Sequence, residues 1–487
     1  MKKTIIYLSI LGVIGTMASC SKFLEKEPIS DPISNPTGDS ALYKTADDAE
    51  NGLKAVYSGF KTDQSELFML DIFVNGDARS DDSYAGADNP ANFQIDEFKV
   101  VSTNANVSRD WAYYYALIAR ANNVINNVPL VTDPALSESR RKEMIGEAAF
   151  VRAYLYFDMV RIWGEVPLVL KQVQSISAEN FDEVYPLLYP VRDSVEKIYQ
   201  QIISDLNTAI ADGPASGASK FVATKAAAHA VLAKVYATIE PHDWNKVKEH
   251  TDAVLGSGFA LLPNYDWLWD GAHENSVEAI FEIDCIDWGT GGNWGVFMFY
   301  GDDWKKFNTP SNDLVRAFDA EGDVIRKNSS IQFLDVSGKW TDRYWPATTY
   351  PFINKGRDFS GGQNYILIRL ADIILLKAEA LNELGDLEGA RALVDQVRDR
   401  VNLEGTTAAS QQDMRLAIEK ERRLELAFEG HRWYDLVRTD RAIPVMNAVT
   451  DGSGANLNYG LNEQKLLWPI PQSERDKNNK LTQNPGY

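Results

Sequence analysis

The feature that most constrains this chain is a tight break between two runs of helical periodicity. From about Asn364, the residues Leu367, Leu370, Ile374, Ala378 and Leu381 fall at steps of three and four and share one helical face. After the break, Leu387, Ala390, Val394 and Val397 do the same. Between the runs, Gly385 can take the left-handed conformation that ends a helix, and Asp386 can cap the next one. So short a connection forces the two helices antiparallel. Small residues such as Ala378 and Ala390 allow them to approach closely. A second pair shares this logic. It begins at Thr224, a good N-cap, and runs through Ala228, Leu232 and Val235. It breaks at Pro241, resumes from Trp244 to Leu255, and ends at Gly256 and Gly258.

Further helices are predicted elsewhere. Arg109 to Asn127 carries a dense aromatic helix ending near Pro129. A long helix runs from about Ser137 to Trp163 on the stripe Met144, Ala148, Val151, Leu155, Met159 and Ile162. Gly164 and Pro167 stop it. Val195 to Ala211 is amphipathic. Another helix starts at Ser410, with Asp413 three residues on, and continues to Gly430. Between Gly258 and Asn364 the period fades into loops with a few short strands. From Trp468 through Pro469 and Pro471 to Tyr487 the chain reads as extended, because proline excludes regular helix. The helix pairs resemble tetratricopeptide repeats but are too irregular for an open solenoid. The predicted fold is therefore mainly all-α. Tetratricopeptide-like helix pairs form a scaffold, and an irregular loop-rich region packs on it.

The N-terminus reads as an address. Lys2 and Lys3 precede an apolar run from Ile5 to Ile14, followed by small residues and Cys20. The run is far shorter than the roughly 20 residues that span a bilayer. A Cys in this position resembles the bacterial lipoprotein signal, in which it is acylated and becomes the new N-terminus. Residues 1–19 are then a signal peptide, and 20–45 a lipidated Cys with an extended tether rich in Pro, Ser, Asn and Asp. The net charge is −20, and loss of Lys2 and Lys3 makes it more acidic still. That disfavours nucleic acid and anionic membrane surfaces. With Cys20 lipidated, Cys285 has no disulfide partner and reads as a small buried hydrophobe.

Catalytic signatures are missing. None of the five His stands in His-Glu-x-x-His spacing, and there is no Gly-x-Ser-x-Gly elbow or phosphate-cradling loop. Carboxylate pairs at glycosidase spacing stay open in so acidic a chain. The Arg/Glu block from Glu419 to Glu429 reads as scaffold. Charges three and four apart pair with each other, and Arg432 and Trp433 lock the helix on its neighbours.

Several stretches together resemble the SusD/RagB family of outer-membrane nutrient-binding lipoproteins from Bacteroidetes. They are Gly146 to Tyr154 continuing through Arg161 to Leu168, then Ala223 to Tyr236, and then Leu370 to Asn382. Glu421 to Leu436 is the strongest match, and the chain closes with Pro469-Ile470-Pro471 and Gln483 to Tyr487. The resemblance implies an N-terminal helical half over 46–260 and a C-terminal half over 261–487, joined as one compact unit. It implies no catalysis. It also implies an outward-facing, lipid-anchored protein of the outer membrane, which holds an oligosaccharide and hands it to a TonB-dependent porin of the SusC type. A peptide-binding member of the family is the first alternative. A surface-tethered glycoside hydrolase is the second.

Glycan capture needs flat aromatic faces for sugar C–H surfaces and polar groups at the rim, largely preformed. The segment Trp288-Gly289-Thr290-Gly291-Gly292-Asn293-Trp294 sets two indoles among glycines, a setting that displays rings rather than buries them. Trp288 and Trp294 are therefore the first candidates, with Tyr300, Trp304 and Trp345 beside them. In the resembled family a loop after the first helix contributes to the site, which adds Asp77, Arg79 and Asp81. No cofactor is implied. A structural calcium ion on these carboxylates stays open, although their spacing is not that of an EF-hand.

Overall fold

The computed structural model describes residues 42–487 apart from 63, 87–88, 174, 288–291 and 300–305. Its scaffold is a row of helices, most of them starting where a side chain caps the first turn. Thr45 and Asp48 form a reciprocal capping box ahead of α1 (Ala46–Ser58). Asn104 caps α2 (Ala105–Asn127), Ser137 caps α3 (Glu138–Trp163), and Ser194 caps α4 (Val195–Asp212). Thr224 accepts from Ala227 N at 3.3 Å and opens α5 (Lys225–Tyr236). Asp243 caps α6 (Trp244–Leu255). Each such cap is worth about 1 kcal/mol.

The stretch 258–364, read as loops and short strands, also holds two capped helices. They are α7 (Asn312–Glu321), behind Ser311, and α8 (Val324–Ser330), behind Asp323. At 10 and 7 residues they are too brief for periodicity to announce them. The short strands are present: β1 (Ala279–Ile283), β2 (Ile331–Leu334), β3 (Tyr350–Ile353) and β4 (Tyr365–Arg369). All pair antiparallel, β1 with β4 and β2 with β3.

One expectation changes here. The helix read from Asn364 begins only at Leu370. Residues 365–369 pair as β4 with β1, with Ala279 opposite Arg369. The run Tyr-Ile-Leu-Ile is buried or half-buried along its length, and its β-branched and aromatic side chains favour a strand. The helix pair then follows as read. α9 (Leu370–Glu383) ends at Gly385, whose φ is +88°, and Asp386 caps α10 (Leu387–Asp399).

Ser410 caps α11 (Gln411–Glu425), which stops short of Gly430 because Phe428 and Gly430 take φ of +62° and +78°. The short helix α12 (Arg432–Arg438) follows. The C-terminal segment is not wholly extended, since a turn of helix spans Gln472–Lys477 directly after Pro471. Proline tolerates the start of a helix, where its missing N–H is not needed.

Neighbours in the row are mostly neighbours in sequence, α2 on α3, α3 on α4, α4 on α5 and α5 on α6. One long-range contact, α6 against α9, joins the first helix pair to the second. The main core draws on both parts of the chain. Trp111, Trp163 and Trp468 meet edge to face at 5.4 and 5.8 Å. Trp468 donates its backbone N–H to Ile162 O, and Asn484 donates to the carbonyls of Trp163 and Trp468. The C-terminal segment is thereby stitched to the end of α3.

The Arg/Glu block is scaffold, but not by the expected pairing along one helix. Its charges reach across elements. Arg326 of α8 meets Asp323, Glu421 and Glu425, and Arg369 of β4 meets Glu278, Glu425 and Glu429. Arg400 adds Glu278 and Glu425. Burial opposes ionisation of Glu425, but Arg400, Arg369 and Arg326 outweigh it and hold its carboxyl well below the usual range. Next to this knot, Arg422 meets Asp372 and Asp435, and Arg432 meets Asp81.

Candidate functional site

The connection from β2 to β3 carries an ordered aromatic surface in the loop-rich region. The two strands are in register, with Phe333 opposite Pro351 and Leu334 opposite Tyr350. The chain between them folds around Asp342. Its carboxylate accepts the backbone N–H groups of Tyr344 at 2.7 Å and Trp345 at 3.1 Å, the self-made turn that Asp favours. It also accepts the phenols of Tyr84 at 2.7 Å and Tyr350 at 3.5 Å. Burial, then proximity to Tyr350 and Asp342, holds the Tyr84 phenol well above its ordinary value. It therefore stays a donor.

Three rings show at the surface of this arrangement. Trp345 is partly exposed, and its indole N–H is fixed on Pro310 O at 2.9 Å. Phe333 is exposed and meets Trp345 at 5.7 Å. Tyr344 is partly exposed and stands edge to face on Tyr84 at 4.9 Å. Asn312 of α7 holds the Tyr344 carbonyl at 3.1 Å. Arg343 stands at the rim, its guanidinium 5.1 Å from the Tyr344 ring. Tyr344 and Trp345 are therefore held by hydrogen bonds already made in the unliganded protein. Trp340 differs: it packs edge to face on Tyr350 and Phe352 and belongs to the small core below.

The other candidate residues fall in different places. Trp288, Tyr300 and Trp304 lie outside the described residues, as does Cys20. Trp294 is not displayed with the glycine-rich loop. It is partly buried against the main core and donates its indole N–H to Ser65 Oγ at 3.2 Å. Its neighbours leave no slack, since Gly295 faces Tyr365 and the Met69 carbonyl too closely for a Cβ.

Asp77, Arg79 and Asp81 are corrected outright, because all three are buried. Asp77 lies in a wide π-helical turn over 74–78, and Arg79 and Asp81 follow it in a buried turn rather than a surface loop. Asp77 accepts the Gly430 N–H at 3.1 Å, and burial pushes its carboxyl well above its ordinary value. Arg79 donates to the carbonyls of Lys465 and Leu466 and lies 4.3 Å from the Trp433 ring, with burial pulling its guanidinium down to about 10. Asp81 pairs with Arg432 at 2.7 Å and Arg423 at 3.1 Å. These two outweigh burial and hold its carboxyl well below the ordinary range. None of the three offers a polar rim to a ligand.

Sequence reasoning misses Asp342 and Phe333. An Asp two residues before Tyr344-Trp345 is the one local signal of an ordered turn. Phe333 gives no signal, since only strand register exposes it. Cys285 is partly buried, with burial pushing its thiol up to about 12, so it is inert. Among the described residues no group of three or more His, Cys, Asp or Glu is placed to hold a metal ion. Among them no helix is long and apolar enough to cross a membrane.

Comparison with known proteins decides the family. The SusD family profile matches residues 294–487, and a profile described as starch-binding associating with outer membrane matches residues 22–237. The chain belongs to the SusD family. A SusD-like protein of Formosa agariphila, P38, is 27% identical, with 98% of each chain covered. A laminarin-binding SusD-like protein of known structure shares the fold at a TM-score of 0.74 and 28% identity, over 91% of this chain and 100% of that one. A structure determined with a xylogluco-oligosaccharide shares the fold at a TM-score of 0.69 and 23% identity, over 88% of this chain and 97% of the other.

Proposed function

We propose that this SusD-family chain binds a neutral oligosaccharide on the shelf of Phe333, Trp345 and Tyr344, without covalent chemistry. The shelf is the observation that carries the reading: Tyr344 and Trp345 are positioned by a single carboxylate before any ligand arrives, and Phe333 of β2 meets Trp345 edge to face. Preformed rings lose little freedom on binding, which is where loop-borne sites otherwise lose affinity. The family profile described as starch-binding and the laminarin-binding relative support a glycan as ligand. Trp288, Tyr300 and Trp304 stay candidate ligand contacts in this reading, and Trp294 serves as a buried brace. The protein is held at the outer membrane, facing outward, by lipid on Cys20. It passes its cargo to a TonB-dependent porin of the SusC type.

Isothermal titration with laminarin, xylogluco- and malto-oligosaccharides tests the binding claim. Binding to one class with no new reducing ends supports it. Release of reducing sugar, or no binding to any class, contradicts it.

A further inference from the structure

A second cleft lies at another place on the scaffold, between α9, α11, α12 and the turn joining α5 to α6. Its volume is about 370 Å³, within the range of small-molecule sites. One wall is aromatic. Trp244, the first residue of α6, is partly exposed and meets His242 edge to face at 4.9 Å. Leu416, on the facing side of α11, is exposed. Much of the remaining lining is charged, and its guanidinium groups are already matched. Glu383 and Arg415 are joined by two hydrogen bonds of 2.6 Å, and Glu379 and Arg438 by two of 2.6 and 2.7 Å.

That matching decides the chemistry of an occupant. Each guanidinium is held flat against its carboxylate, so the polar groups are fixed without a ligand. The carboxylate oxygens keep lone pairs that can accept further bonds. Because every lining guanidinium is paired, no cation in the cleft waits for a counter-ion, and the exposed carboxylate of Asp440 at its edge repels an anion. A phosphate or a peptide carboxylate would have to break a pair and leave one charge unmatched, a large cost at a partly buried site. A neutral polyhydroxyl compound meets no such cost. Its hydroxyls donate to Glu379 and Glu383, and its apolar C–H face packs on Trp244.

The geometry points to a second saccharide-binding site, built on Trp244, Glu379, Glu383, Arg415 and Arg438 and separate from the aromatic shelf. Its ligand class is a neutral sugar unit, and it rests on the glycan-binding reading only for where such a ligand comes from. Two sites on one chain would hold a long glycan at two points, and joint engagement raises avidity without any new contact.

The test is fluorine NMR on the mature chain carrying 5-fluorotryptophan, with Trp244→Phe and Trp345→Phe assigning the two resonances. Laminarin, xylogluco- and malto-oligosaccharides are titrated separately, with inorganic phosphate as the anionic probe. The Trp244 resonance is expected to shift saturably with at least one neutral oligosaccharide and to stay still with phosphate. Arg415→Ala should weaken that response by about tenfold while leaving the Trp345 curve and the remaining resonances in place. A Trp244 resonance that no neutral probe moves overturns the second site, as does one that only phosphate moves. The Trp345 resonance reports separately on the shelf, so failure of one site is distinguishable from failure of the other.

Discussion

Asp342 shows how one residue turns a loop into a surface. Four donors converge on its two oxygens, two from the backbone and two phenolic. Asp342→Ala removes all four acceptor contacts and leaves the buried Tyr84 hydroxyl without this partner. The expected result is a loss of about 1–3 kcal/mol in urea unfolding, together with weaker oligosaccharide binding because Trp345 loses its fixed position. Histidine supplies a second residue-scale expectation. His431 is partly buried, and its desolvation together with Lys234 pulls its imidazole from 6.5 down to about 3. The unfolded chain takes up that proton near 6.5 and the folded one does not. Stability from this group is therefore complete above about 6.5 and falls as pH drops towards 3. His431→Gln, followed by urea unfolding from pH 7 to pH 4, should flatten the acid loss relative to the parent chain.

Elements differ in how far their sequence announces them. The pair α9 and α10 is legible because Gly385 needs its positive φ, Asp386 needs its cap, and both apolar faces repeat. β4 is not separable from the helix behind it, because a buried strand and a buried helical turn are equally apolar. The turns over 67–82 are the least legible. Their acidic and amide residues suggest a solvated loop, yet Asp77 and Asp81 are buried against partners more than 300 positions away. Local pattern holds no record of such partners. Half of the site was open to the same reasoning: Trp345 follows from composition, whereas Phe333 depends on strand register. Gly76 tests the packing of the buried turn. A Cβ there would come within 2.3 Å of the Gly430 carbonyl oxygen. Gly76→Ala should destabilise by about 1–3 kcal/mol or prevent folding, read as a lower midpoint in thermal unfolding followed by circular dichroism.

At the scale of the whole molecule, two devices join distant parts of the chain. One is the tryptophan cluster that brings the C-terminal segment onto α3. The other is the buried ion-pair knot on Glu425 and Glu429, which ties α8, α11 and β4 together and takes in Arg400 beyond α10. Removing one member leaves its partners charged and short of a counter-ion. Arg369→Met should therefore cost about 3–5 kcal/mol in urea unfolding, far more than an exposed pair would.

This rigid frame lets a loop-borne shelf act as a preformed site. Titration calorimetry of the parent chain and of Trp345→Ala against the preferred neutral oligosaccharide, with thermal unfolding of both, tests that central claim most directly. Trp345→Ala is expected to keep its unfolding midpoint within a few degrees and to lose at least about tenfold in affinity, the usual loss when a central aromatic contact is truncated. Unchanged affinity in a folded Trp345→Ala chain would contradict it.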